Sequence, residues 1–126
     1  RTHVYGMGAG HELGRRGEAL AAELLEATGW RILARNFRYR RKEIDLIARR
    51  GAVVAFIEVK ARAGPAFGHP LEAVTLAKRR EIETVARAWV ARFGKPVYTY
   101  RFDTVAVLCE EGKPPRLLHV EDAWRL

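Results

Sequence analysis

Apolar positions recur at helical spacing along residues 15–28: Leu20, Ala21, Leu24, Leu25 and Thr28 share one face, and Glu23 and Glu26 project from another. The spacing predicts a helix that Gly29 stops, in the position where a left-handed residue ends helices. From Trp30 the period changes to two. Ile32, Ala34 and Asn36 alternate against Leu33, Arg35 and Phe37, which predicts a strand over 30–38. The run EIDLIARRGAVVAFIEVK, Glu43 to Lys60, reads as two more strands joined by a turn at Arg49, Arg50 and Gly51. A loop rich in Gly and Pro (Gly64, Pro65, Gly68, Pro70) follows. Thr75 is a good N-cap for a second helix over 76–93, with Ile82, Val85, Ala86, Trp89 and Phe93 on its core face. Gly94-Lys95-Pro96 breaks that helix. Strands over 97–108 and 116–120 flank a turn at 110–115, and 121–126 is a terminal turn anchoring Trp124 on the core.

The order is helix, three strands, helix, two strands. A helix crossing after the third strand must return to the sheet, so the expected fold is α/β: a mixed central sheet of about five strands with helices on both faces. The 126 residues suffice for one domain with one core, over 14–126. Residues 1–13 read as a loose arm, with His3 and His11 solvated. Arg1 precedes the only methionine, Met7, so residues 1–6 are either upstream native sequence or an addition.

The hairpin over 43–60 carries the chemistry. It is as apolar as a core strand, yet it holds Glu43, Asp45, Glu58 and Lys60, and charges rarely sit in such strands unless paired or bound to a metal. Alternation puts Glu58 and Lys60 on the face of Phe56, and Glu43 with Asp45 on a face opposite Ile44 and Leu46. With an even-numbered loop, paired residues have odd-summing numbers, and all four charges converge. Three carboxylates suit a hard cation such as Mg²⁺, which keeps several waters and sits against phosphate. A lysine beside it would hold an attacking water or offset phosphate charge. Read as a buried ion-pair network instead, three carboxylates face one lysine, an unfavourable balance without a cation.

Asp45 followed by Glu58-Val59-Lys60 resembles the PD-(D/E)xK nuclease signature. More closely, Gly17-Glu18, Asn36, Glu43-Ile44-Asp45-Leu46-Ile47, Phe56-Ile57-Glu58-Val59-Lys60, Arg62, Phe67-Gly68 and Glu72-Ala73-Val74 resemble the YraN family of small bacterial proteins. Ile44 stands where the broader signature has Pro, and Lys42 where the YraN pattern usually has Gly. The resemblance implies a restriction-endonuclease-like core, related by fold to Holliday-junction resolvases. It implies Mg²⁺ or Mn²⁺ held by Asp45, Glu58 and the Val59 backbone carbonyl, with Lys60 orienting water and Glu18 or Glu43 completing the set. Glu18 reads alternatively as a first-turn carboxylate helped by the helix dipole. By analogy to resolvases the substrate is branched DNA and the protein a two-fold homodimer.

A formal charge of +8 favours an anionic partner, nucleic acid ahead of a membrane surface. Arg31, Arg35, Arg38, Arg40, Arg41, Lys42, Arg49 and Arg50 flank the hairpin strand. Arg38 to Lys42, with Tyr39 among them, reads either as a backbone-tracking, base-stacking segment or as a solvated turn. Arg62 is expected to touch phosphate. Lys78, Arg79 and Arg80 crowd the first turns of the second helix, which suggests either a phosphate-facing end or a solvated face. His69 reads as a second base or as an exposed loop residue, and Asn36 as a backbone-bonded residue or one near the site. Arg101 and Asp103 share a face as an ion pair. No apolar run reaches the ~20 residues of a membrane span. The first ten residues lack a signal-peptide pattern, and the single Cys109 fits a reducing cytoplasm. Arginine outnumbers lysine by 18 to 5, with Ser and Gln absent and Asn36 the only Asn, a composition that suggests a thermophile. The leading expectation is a metal-dependent DNA nuclease. The alternatives are a nucleic-acid-binding module of the same fold without turnover, working with DNA-processing partners, and an RNA nuclease.

Overall fold

The computed structural model describes residues 2–6 (backbone), 14–64 and 74–125. Eight elements follow in order: β1 (Thr2–Gly6), α1 (Arg15–Ala27), β2 (Arg31–Tyr39), β3 (Lys42–Arg50), β4 (Val53–Ala63), α2 (Leu76–Phe93), β5 (Thr99–Cys109) and β6 (Arg116–Trp124). The strands form one sheet in the order β1-β6-β5-β4-β3-β2. Only β4 and β5 run parallel. Parallel neighbours need a long crossover, and α2 supplies it. The fold is the expected α/β core with a mixed sheet between helices.

Each helix buries its apolar stripe on one face. Leu20, Leu24 and Leu25 of α1 pack on Leu46, Ala55, Ile57, Val105 and Leu117. Ile82, Val85, Ala86 and Trp89 of α2 pack on Ile44, Ile47, Val54 and Phe56. Strand β4 is therefore covered on both sides, and Val54 to Ile57 are all fully buried. That double cover is why its sequence is a continuous apolar run instead of an alternating one. Thr75 caps α2 as expected, its hydroxyl accepting from Lys78 N–H at 3.2 Å. Gly51 has φ +61°, between the paired residues Arg50 and Val53, so a two-residue turn closes β3–β4 where a glycine relieves the positive φ.

Several expectations change. Residues 2–6, read as part of a loose arm, form an edge strand paired antiparallel with β6, so the sheet has six strands. Strand β4 runs on to Ala63 because β5 pairs with it that far, so Arg62 lies in a strand and not a loop. Strand β6 continues past Val120 to Trp124, whose ring stacks on Phe102 at 4.1 Å. Phe93 is not core. It is 44% exposed at the end of α2, against Trp89 and edge-on to Phe37. His11 and the segment 65–73, with Pro65, Phe67, Gly68, His69, Pro70 and Glu72, lie outside the described residues.

Candidate active site

Strands β3 and β4 pair in the expected odd-sum register, from Arg50↔Val53 to Leu46↔Ile57. Past Leu46 a side chain takes over from the ladder: Asp45 Oδ2 accepts the Val59 N–H at 2.8 Å. Strict alternation fails at this point, since Leu46 packs in the α1 layer and Ile44 in the α2 layer. The simple picture of Ile44 and Leu46 sharing one face, with Glu43 and Asp45 on the other, is thereby corrected. Across on β2, Asn36 stands between the pairs Arg35↔Leu46 and Phe37↔Ile44 with φ +49°. A left-handed residue twists the hairpin there. The two strands fork, and the Asp45 carboxylate fills the fork.

Glu58 enters the same fork from β4 and is only 6% exposed. Its Oε1 lies 4.0 Å from Lys60 Nζ. Its Oε2 is buried with no hydrogen-bond partner. Burial pushes the Glu58 carboxyl up to about 7, the charge of Asp45 adds to the push, Lys78 and Lys60 pull the other way, and a hydrogen bond from the protonated Glu58 to Asp45 favours the neutral form further. Asp45 is raised as well, first by burial and then by Glu18 and Glu43. The Val59 N–H and Lys78 oppose this. Two carboxylates that resist ionising together mark a place where a proton or a cation is wanted.

Glu18 and Glu43 surround this pair. Asn36 Nδ2 donates to Glu18 Oε1 at 2.8 Å and reaches Glu43 Oε1 at 3.4 Å. Asn36 thus bridges helix α1 to strand β3, a role the sequence left open between backbone and site. The approach of α1 depends on Gly17. A Cβ built there would stand 2.9 Å from Ala61 Cβ on β4. Glu43 is turned partly outward, with Oε2 3.2 Å from Arg38 Nε. Among the described residues no three His, Cys, Asp or Glu side chains are grouped to hold a metal ion. A cation here would rest on Asp45 and Glu58, with backbone or water making up the rest.

The basic residues separate into two sets. Lys60 and Lys78 act on the carboxylate pair. Arg40 and Arg41 form the exposed tip of the β2–β3 hairpin, with Arg40 at φ +59° and its guanidinium 5.2 Å from the Tyr39 ring. Lys42 is tied to Glu81 of α2 at 3.1 Å. Arg62 is exposed on β4, two residues beyond Lys60. Arg79 instead serves the fold: its Nε donates to the Val74 carbonyl at 3.1 Å and its guanidinium lies 5.7 Å from the Trp124 ring.

A second charged cluster is larger than the Arg101–Asp103 pair foreseen. Arg101 grips the fully buried Asp103 with two bonds of 3.0 Å and also bonds Glu121 at 2.6 Å. His119 Nε2 lies 2.9 Å from Asp103, and the Asp122 N–H donates to it at 2.9 Å. Arg50 joins through Glu121, and both guanidiniums cover Trp30. Every Asp103 oxygen is satisfied, so this network reads as a structural brace.

Comparison with known proteins now adds the family. Residues 17–107 match the family model described as "Uncharacterised protein family UPF0102". The UPF0102 protein of Chlorobium phaeobacteroides is 47% identical over 120 residues, spanning 91% of this chain and 94% of its own. That of Symbiobacterium thermophilum is 50% identical over 105 residues, covering 83% and 87%. That of Rhodococcus jostii is 44% identical over 112 residues, covering 89% and 95%. The matched stretch begins at Gly17 and includes Glu18, Asn36, Asp45, Glu58 and Lys60, and on these matches the chain belongs to the uncharacterised protein family UPF0102, the YraN family.

Proposed function

We propose that the protein is a divalent-metal-dependent nuclease that hydrolyses phosphodiester bonds in DNA at the β3–β4 fork. The observation that carries the reading is Glu58, buried against the Asp45 carboxylate, which raises the Glu58 carboxyl by its charge and by a hydrogen bond between the two. Ionised in that place without a cation, the Glu58 carboxylate is costly to bury. Together with Asp45 it is a hard donor set of the kind Mg²⁺ or Mn²⁺ takes. The residues present fit such an ion, held by Asp45, Glu58 and the Val59 carbonyl. When bound, it would supply positive charge against the scissile phosphate.

The chain's own residues would do the rest. Hydrolysis adds a water oxygen to phosphorus and breaks one P–O ester bond, and the departing oxygen takes a proton. Lys60 Nζ, 4.0 Å from Glu58, is placed to donate to the attacking water and to offset charge building on the phosphate. Lys78 adds a second positive charge that both carboxyls feel. Asn36 fixes the Glu18 and Glu43 carboxylates beside the fork. Arg62 and the Arg40–Arg41 tip offer phosphate contacts outside it.

The second reading is a nucleic-acid-binding module without turnover. It is favoured by the lack, among the described residues, of a ready group of three ligand side chains. One experiment separates the two: cleavage of labelled duplex, single-stranded, four-way-junction and RNA substrates with Mg²⁺, Mn²⁺ or EDTA, wild type beside Asp45→Asn. Metal-dependent cutting lost in the variant, with binding kept or tightened, is the expected result and names the substrate. Salt-sensitive binding with no cutting of any substrate would move the assignment to the binding module.

A further inference from the structure

Outside the fork, a groove of about 620 Å³ runs between β2 and the outer side of α2. Phe37, Arg38, Tyr39, Thr84, Arg87 and Arg92 line it, and among the described residues no carboxylate does. Strand β2 is the sheet edge, so nothing in the sheet covers this side. Arg38 and Arg87 each hold one ion pair, to Glu43 at 3.2 Å and Glu83 at 2.6 Å, yet their side chains are 70% and 79% exposed. Arg92 rests 5.1 Å from the Phe93 ring. Tyr39 is 36% exposed, with Arg40 over its ring. One lining residue is bonded to the carboxylates beside the fork: Arg38 bonds Glu43, and Glu43 shares Asn36 with Glu18.

We propose that this groove seats a single strand of the nucleic acid whose phosphodiester lies at Asp45 and Glu58, a step that rests on the nucleic-acid reading above. Tyr39 stacks a base, and Arg38, Arg87 and Arg92 take phosphates. Rows of cations with an aromatic among them are how proteins follow single strands without reading sequence. A groove of about 620 Å³ is the size that takes one small ligand, which suits a stretch of one strand and not a duplex. An acidic peptide would satisfy the arginines but gives no reason for a partly open tyrosine ring among them. The substrate class that follows is DNA with a single-stranded arm next to the cut.

Fluorescence anisotropy in EDTA reads binding apart from cutting. The probes are a labelled single-stranded oligonucleotide and the matching duplex, each titrated across a range of salt. The variants are Arg87→Ala/Arg92→Ala, Tyr39→Ala and, as a control in the β5–β6 turn, which does not line the groove, Lys113→Ala. The double variant should weaken single-strand binding about tenfold and flatten the salt slope by about 1.4, roughly 0.7 for each phosphate no longer neutralised. Tyr39→Ala should weaken single-strand binding by about fivefold or more while leaving duplex binding alone. Both sites are at the surface, so thermal unfolding should match wild type. Unchanged single-strand affinity and slope in both variants, equal weakening with the duplex, or no single-strand binding by the wild type would each overturn the proposal. A wild type that binds single strands through this groove but cuts nothing would keep the groove and sink the nuclease. One that cuts, while Arg87→Ala/Arg92→Ala binds and cuts normally, would sink the groove alone.

Discussion

Asp45 and Val59 are joined where the β3–β4 ladder ends, the Asp45 carboxylate accepting the Val59 N–H at 2.8 Å. The bond does two things. It satisfies a backbone donor at the fork, and it fixes Asp45 beside Glu58, whose ionisation the Asp45 charge then disfavours. Substitution separates the two effects. Asp45→Asn keeps an oxygen for Val59 and removes a buried charge, so the metal-free protein should gain about 1–2 kcal/mol, seen as a melting temperature about 2–8 °C higher. Asp45→Ala leaves the Val59 N–H unpaired and should fall about 1–2 kcal/mol below the Asn variant. An Ala variant at least as stable as the Asn one would remove the bond from the account.

The raised Glu58 carboxyl has a definite sign in pH. Its ordinary value is 4.5 and it rises in the fold to about 7, so the native state prefers the protonated form. Its contribution to stability is full below pH 4.5 and is lost as pH climbs through about 7, an amount of roughly 3 kcal/mol. In EDTA, wild type should lose stability between those limits relative to Glu58→Gln, which cannot ionise. A bound cation needs the ionised form and competes with the proton. Mg²⁺ or Mn²⁺ should therefore raise the melting temperature at pH 8 and much less at pH 5.5. An equal metal shift at both values would argue against Asp45 and Glu58 as the ligands.

Much of this site is legible in the sequence because it lies on adjacent strands. Period-two alternation with an even-numbered loop gives the register that brings Asp45 to Glu58, although the turn expected at Arg49, Arg50 and Gly51 falls at Gly51 and Ala52, with Arg49 and Arg50 paired in β3. What alternation cannot supply is its own interruption. Alternation breaks between Ile44 and Leu46, which lie in different layers opposite the left-handed Asn36, and no periodicity signals it. The only clue to it is a lone Asn, the residue type besides Gly that most readily adopts this conformation. The Asp103 brace is half legible, because Arg101 and Asp103 share one strand. Trp30, Arg50, His119 and Glu121 reach it from other parts of the chain, and such contacts leave no local trace. The edge strand β1 is faintly legible, since Thr2, Val4 and Tyr5 are strand formers, but so short a run before Gly6, Gly8 and Gly10 does not predict a partner, and its pairing with β6 is set by the sheet.

Gly17 sets how close α1 comes to β4. A Cβ there meets Ala61 Cβ at 2.9 Å, and neither atom can rotate away because each is fixed to its backbone. Gly17→Ala gains about 1 kcal/mol in helix propensity and loses about 1–3 kcal/mol to overpacking, for a net destabilisation. Ala61→Gly should recover part of that loss in the Gly17→Ala background while destabilising the wild type. The coupling in this double-mutant cycle should be about 1 kcal/mol, read by urea unfolding. Additive effects would mean that α1 shifts freely, and the position of Glu18 would then owe nothing to Gly17.

Asn36 combines a strained backbone with a bridging side chain, and two substitutions take the roles apart. Asn36→Gly accepts φ +49° without penalty but removes the donor to Glu18 and Glu43. Asn36→Ala removes the same donor and also forces an alanine into the left-handed region, at about 1 kcal/mol or more. The Gly variant should thus be the more stable of the two, while both lose the same share of any metal-dependent cutting, about tenfold or more if Glu18 and Glu43 must be held at the fork. Cutting rates that follow stability, with Asn36→Gly near wild type, would make Asn36 a residue of the backbone turn alone. Equal loss in two variants of unequal stability would make it a positioning residue, acting through two carboxylates that stand on different elements of the fold.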